Sequence, residues 1–379
     1  RYREAREILG IELPELSGEP VRPDWRSYAE KAPAELGGFL LMSHQRAARA
    51  IAREHPRFGF FLDTGTGKTP ASLAIIQDAS PCKALVVCPL ALVRGAWEID
   101  SKRFVPEIPF LDLHWVDKRK RAQELKRFVG IACINYESFK ASVEDLAEWK
   151  PDILIFDESA KLKGVGSDVS KVARKFALTV PRVYLLSGVP APNNELEYFV
   201  QGQILGAPWG RSYHGWRGTV AQSHGYGGYQ WETTAKGSKM IREDLAAVSW
   251  HVHKADVLDL PERTFVTRQV ELSLPEELAY RQMAAKAVAE IEGHEISAPH
   301  VLTQLGKLRQ GTSGFMYGPS EAGRAPVEVW AGKTCSKVEA LVELLEEIGE
   351  DQPVVVWAHF AAEYRAIRKA LGARCVEYT

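Results

Sequence analysis

The run Asp63-Thr64-Gly65-Thr66-Gly67-Lys68-Thr69 has the residue types needed to hold phosphate. Glycines let backbone N–H groups turn toward an anion, and a helix opening just after them adds its positive end. In this reading Thr64, Gly65, Thr66 and Gly67 form a cradle, Lys68 reaches the β- and γ-phosphates, and the Thr69 hydroxyl binds Mg²⁺. Pro70 fits a first helical turn but removes one N–H from the anion site. Leu62 stands where the general GxxxxGK[ST] pattern has its first glycine. The bland alternative is a glycine-rich turn with a chance lysine. The apolar strand before the run and the helix after it weigh against that. A second signal is Asp157-Glu158, directly after the apolar Ile153–Phe156. An acid at the end of a central strand can hold Mg²⁺, and a second acid can activate the attacking water.

These groups need a scaffold. Ala84–Cys88, Ile131–Ile134, Ile153–Phe156, Val183–Leu186 and Val354–Trp357 are short, rich in apolar and β-branched residues, and mostly continuous rather than alternating. That pattern predicts strands buried on both faces of a parallel sheet. Helical spacing over Ser43–Glu54 (with Ser43 as the expected N-cap), Thr69–Asp78 and Lys337–Ile348 lies between them, so the expected class is α/β. Residues 202–231, with eight glycines among Trp209, Trp216, Tyr226, Tyr229 and Trp231, read as a loop-rich insertion. Lys333–Lys337 reads as a link into another α/β unit.

Composition bounds the answer. With 379 residues, 45% hydrophobic and 26% charged, the chain has the make-up of a globular protein of two or three domains. Its net charge of −1 excludes a global basic field, so any nucleic-acid site must be a local patch. No apolar run is long enough to span a bilayer. The five cysteines form no CxxC pair and read as reduced thiols. The expected location is the cytoplasm of a bacterial or phage-infected cell, at the nucleoid. A chain that starts at Arg1 and stops at Thr379, just after an apolar run, reads as part of something longer.

The order of several motifs resembles the superfamily-two helicase-type ATPases, the Swi/Snf-like DNA translocases in particular. His44-Gln45 precedes the phosphate loop, as in an adenine-reading Q motif. Val86-Val87-Cys88-Pro89-Leu90 with Trp97 is similar to motif Ia, and Asn135-Tyr136-Glu137 to motif Ib. Asp157-Glu158-Ser159-Ala160 stands at motif II, with Lys163 and Ser167 beyond it. Ser187-Gly188-Val189-Pro190 with Asn193 resembles motif III. Lys254-Ala255-Asp256-Val257 and Leu260-Pro261 resemble the segment joining two lobes, and Leu308-Arg309-Gln310 and Lys337 to Phe360 the start of a second lobe.

The resemblance implies an N-terminal segment over 1–35, a first RecA-like lobe over 36–260 that includes an insertion at 202–250, and a linker with an incomplete second lobe over 261–379. It implies that Gln45 reads adenine, that Ser187 and Gly188 couple hydrolysis to lobe motion, and that Pro89, Leu90, Tyr136 and Asn193 lie where nucleic acid is contacted. Lys68, Asp157 and Glu158 become the catalytic groups, Thr69 and Asp157 the metal ligands, and ATP and Mg²⁺ the cofactors. The family commonly has His where Ala160 stands, so one hydrogen-bonded link from the ATP site to motif III is expected to be missing. Later motifs of the second lobe carry arginines for the γ-phosphate in this family.

The expected function is an ATP hydrolase that moves on double-stranded DNA, as a monomer and away from membranes. Rivals are a strand-separating helicase, a restriction-system motor subunit, a metabolic kinase and a non-catalytic nucleotide-binding protein. The basic run Lys118-Arg119-Lys120-Arg121 with Lys126 and Arg127 reads either as a phosphate track or as a solvated helix face. The glycine- and aromatic-rich insertion reads either as a base-stacking surface or as an aromatic-packed loop. The spacing of His251 and His253 allows a metal, but no acid or cysteine cluster accompanies them.

Overall fold

The computed structural model describes residues 25–377 apart from 118, 225–229, 262–263, 287, 292–293, 298–300, 318–325 and 329–334. Expectations for residues 1–24, Lys118, Tyr226 and Tyr229 therefore lie outside the described residues. The chain divides into two units, one ending at Pro261 and one starting at Glu262. No helix among the described residues is long and apolar enough to cross a membrane.

The first unit is built on a seven-stranded sheet. We number its strands β1 (Arg57–Leu62), β2 (Lys83–Cys88), β3 (Phe110–Asp112), β4 (Gly130–Asn135), β5 (Ile153–Asp157), β6 (Arg182–Leu186) and β7 (Ser249–Val252). Their order across the sheet is β7-β1-β6-β5-β2-β4-β3, and every pairing is parallel. All residues of β1 and β5 are buried, as expected of strands covered on both faces. Two apolar clusters cover those faces, one around Phe139, Phe156 and Phe199, the other around Ile51, Leu73, Trp97 and Ile155. Arg57 is also buried. Its guanidinium donates to the carbonyls of Ala177 (2.7 Å), Val180 (2.9 Å) and Ile204 (3.1 Å), so the buried charge is met by three acceptors.

Helix α1 (Ser43–Glu54) and helix α2 (Lys68–Ala79) flank β1 in the chain. Ser43 is not the N-cap. That position is Met42, whose N–H donates to the Gln45 side-chain oxygen at 2.9 Å, so the glutamine closes the helix start from inside.

The insertion departs from the loop-rich expectation. It folds as helices α3 (Tyr198–Leu205), α4 (Tyr213–Val220) and α5 (Ala235–Ala246), with a hairpin of Ala221–His224 against Gln230–Thr233. Trp209 and Trp216 are buried, with ring centroids 4.9 Å apart, so they serve the core and are not exposed to bases. Of the glycines that suggested loops, Gly202 permits close packing instead, and Gly237, further along the insertion, does the same. A Cβ on Gly202 would lie 2.0 Å from the Trp209 ring, and one on Gly237 would lie 1.8 Å from the Val220 carbonyl oxygen.

This gives a test. Helix propensity alone would make Gly→Ala stabilising by about 1 kcal/mol. At Gly218 nothing lies within 4 Å, and Gly218→Ala is expected to follow propensity. At Gly237 the obstacle is backbone, and Gly237→Ala is expected to cost about 1–3 kcal/mol, the range for overpacking. Urea unfolding of both variants should show opposite signs. A stabilised Gly237→Ala would mean that the contact with Val220 relaxes freely.

In the second unit, helices Leu274–Lys286, Val301–Gly311, Ser336–Ile348 and Ala361–Leu371 are described, with two short hairpins. The buried Glu276 carboxylate accepts from the Ser273 N–H and from the N–H and hydroxyl of Ser336, which ties two helix starts together. The expected strand Val354–Trp357 is not formed, and Trp357 is 90% exposed. A strand exists by pairing, and none of the described residues pairs with this run.

Candidate active site

In a parallel sheet the strands' carboxyl ends share one edge, and loops leaving that edge meet there. The phosphate loop leaves β1, the acid pair ends β5, and loop 187–190 leaves β6, which lies between them in the sheet. The predicted residues are thus brought together by strand order and not by proximity in the chain.

Gly65 and Gly67 have φ of +83° and +79°, the left-handed region in which a Cβ is strained. The Thr66 hydroxyl donates to the Asp63 carbonyl at 2.7 Å and holds the loop's curve. Lys68 opens α2, and its ammonium donates to the Leu62 carbonyl at 3.2 Å, lying over the mouth of β1. Thr69 is half-buried beside it.

Asp157 is buried at the end of β5. One carboxylate oxygen accepts from the Trp97 indole N–H and the other from the Glu158 N–H, both at 2.9 Å. Burial pushes the Asp157 carboxyl above its usual range, while Trp97, the Lys68 ammonium and the Glu158 N–H pull it back. Burial also raises Glu158. Lys68 opposes that shift, and Asp157 adds to it. Glu158 has φ +52°, rare for a residue with a side chain, and this sets the turn that separates the two carboxylates.

Magnesium needs few protein ligands when substrate phosphates supply others. Among the described residues the Asp157 carboxylate accepts two hydrogen bonds, which leaves lone pairs for a hard cation. The donor set therefore fits Mg²⁺, with Asp157 and Thr69 as the residues that would hold it.

The remaining predicted residues divide. Gln45 lies against the loop, its amide donating to the carbonyls of Thr66 (3.2 Å) and Gly67 (3.4 Å), and the His44 ring contacts the Thr66 carbonyl oxygen at 2.6 Å. Ser187 is buried, and its hydroxyl accepts from the Val189 N–H at 3.2 Å. A Cβ on Gly188 would lie 3.2 Å from the Thr64 side chain, so that loop touches the phosphate loop. Leu90 and Asn193 are exposed and Pro89 is half-buried. Tyr136 corrects its expectation: it is buried, and its hydroxyl donates to the Asp157 carbonyl at 2.8 Å, so it props the acid turn instead of facing nucleic acid.

Arg121 leaves the basic run in the same way, donating from the interior to the Leu113 carbonyl and the Ser142 hydroxyl. Arg119, Lys120, Lys126 and Arg127 are exposed. His251 packs on Phe61, with centroids 4.9 Å apart. The five cysteines are free, as expected.

Sequence reasoning did not assign Lys254 to this site. Its N–H donates to the Asp63 carboxylate at 2.8 Å, and a Cβ on Gly65 would lie 3.2 Å from its ammonium nitrogen. The signal available was the joining segment at Lys254 to Val257, but nothing local pointed back to residue 63.

The SNF2-related domain family matches residues 51–313. A SWI/SNF-related matrix-associated actin-dependent regulator of chromatin subfamily A-like protein 1 of Drosophila melanogaster is 26% identical over 191 residues, which is 50% of this chain and 25% of that protein. Its Caenorhabditis elegans homolog is 31% identical over 209 residues, 53% of this chain and 29% of that one. The chain thus spans well under half the length of these relatives. Among solved structures, a Sulfolobus solfataricus SWI2/SNF2 ATPase core in complex with dsDNA is similar with a TM-score of 0.53 and 17% identity, covering 89% of this chain and 71% of that one. That likeness bears out the α/β fold.

Proposed function

The chain belongs to the SNF2-related domain family, and from that premise we propose that it is a DNA-dependent ATPase that uses ATP and Mg²⁺ to move along duplex DNA. The observation that carries the reading is the meeting of Lys68, Asp157 and Glu158 at one sheet edge, with Lys68 acting electrostatically on both carboxyls. Gly65, Gly67 and the start of α2 bind the phosphates, and Lys68 neutralises charge that develops on the transferred group. Glu158, its proton affinity raised by burial, takes the proton of the attacking water. Asp157 and Thr69 would hold magnesium, which when bound would supply positive charge to the phosphate oxygens.

Duplex DNA as the track is supported by the similar core, which was solved with dsDNA, and is in keeping with a relative named as a regulator of chromatin. The test is ATP turnover with duplex DNA, single-stranded DNA, RNA or no polymer. Duplex is expected to give the largest stimulation, and steeply falling stimulation with added salt is expected of a backbone-tracking motor. Stimulation by RNA alone, or by no polymer, would overturn the translocase reading.

A further inference from the structure

One link from the acid turn to loop 187–190 was expected to be missing, because Ala160 offers no hydrogen-bonding group where the resembled family commonly has histidine. The structure holds a different link. The Ser159 hydroxyl donates to the Gln201 side-chain oxygen at 2.8 Å. The Gln201 amide nitrogen then donates to the Pro190 carbonyl at 2.8 Å. Ser159 and Gln201 are both 0% exposed, so no water competes for these bonds. The orientation is also determined. Turning the amide over would set its oxygen against the Pro190 carbonyl oxygen, with no proton between two acceptors. On its other side, loop 187–190 meets the phosphate loop at Gly188, where a Cβ would lie 3.3 Å from the Thr64 nitrogen.

We propose that Gln201, on α3, is a positioning residue: it ties the turn bearing Asp157 and Glu158 to loop 187–190, so that displacement of one is transmitted to the other. The proposal rests on the ATP-site reading above. Cutting the bridge from either end leaves a buried polar atom without a partner and frees both loops, although neither Ser159 nor Gln201 touches substrate.

The test uses the full chain with Ser159→Ala, Gln201→Leu and the double substitution. Amide hydrogen exchange at Glu158, Gly188 and Val189 is followed first without nucleotide. Ser159→Ala is expected to speed exchange at Gly188 and Val189 at least threefold, although the change lies at the far end of the bridge. The double variant is expected to be no worse than the worse single one, the sign of one shared connection. In steady-state turnover, kcat is expected to fall at least fivefold with the KM for ATP within twofold. Exchange at 188–189 that ignores Ser159→Ala, or single effects that simply add, would overturn the bridge. If Gln201→Leu does not fold, Ser159→Ala decides alone, since it removes one hydroxyl. If the parent neither binds nor hydrolyses ATP, the ATP-site reading falls, while exchange without nucleotide still decides whether the bridge exists.

Discussion

Replacing Lys68 with alanine is expected to cut ATP turnover by at least about 10²–10³-fold, the loss seen when one electrostatic donor is removed from a transition state. The ammonium donates to the Leu62 carbonyl at the mouth of β1 and lowers the proton affinity of both Asp157 and Glu158. Its removal therefore takes away a charge aimed at phosphate and also releases the two acids toward protonation. The fold should survive, because the side chain is half-exposed and its one hydrogen bond goes to the Leu62 carbonyl. Turnover within about threefold of the parent, an effect below about 1 kcal/mol, would remove Lys68 from the site.

Glu158→Gln is expected to bind ATP with affinity near the parent's and to turn over about 10²–10⁴-fold more slowly, the contribution typical of a general base. The amide keeps the size of the carboxyl but cannot take a proton from water. The two substitutions differ in kind: Lys68→Ala should also weaken nucleotide binding. Because burial raises both the Glu158 and the Asp157 carboxyls, the acid limb of the parent's pH–rate profile should lie higher than for ordinary carboxylates, and Glu158→Gln should remove the Glu158 part of that limb while the Asp157 part stays. Equilibrium nucleotide binding and turnover, measured on the same samples, check both expectations. Lost affinity in Glu158→Gln would reassign the residue to binding.

The parts of this architecture legible in the sequence are those whose cause is local. Strands β2, β4, β5 and β6 were readable because burial on both faces demands an unbroken apolar run. The phosphate loop was readable because only glycine takes the φ found at Gly65 and Gly67 without strain. What was missed is set by partners distant in the chain. Trp97 meets Asp157 across 60 residues, and Lys254 meets Asp63 across 191. Gln201 carries no local mark, since a glutamine inside a helix reads as solvent-facing until its partners Ser159 and Pro190 are known. At Gly202 the insertion was misread because glycine serves tight packing as well as turns, and only a neighbour such as Trp209 distinguishes the two. Val354–Trp357 failed for the opposite reason: an apolar run is necessary for a buried strand but does not supply the strand beside it.

Strand β7 has a consequence for how the molecule is made. It pairs with β1 in parallel, Ser249 opposite Gly59 and Val252 opposite Leu62, and the Asp63 N–H donates to the Val252 carbonyl. One flank of the phosphate cradle is therefore supplied by residues far downstream. A ribosome adding about 5–20 residues per second takes about 10–40 s to cover that interval. During that time β1, with its run of phenylalanines, has an unpaired edge, and the nascent chain lacks a finished nucleotide cradle. Completion of the phosphate-loop flank thus becomes a late event in biosynthesis, after the inserted helices have emerged.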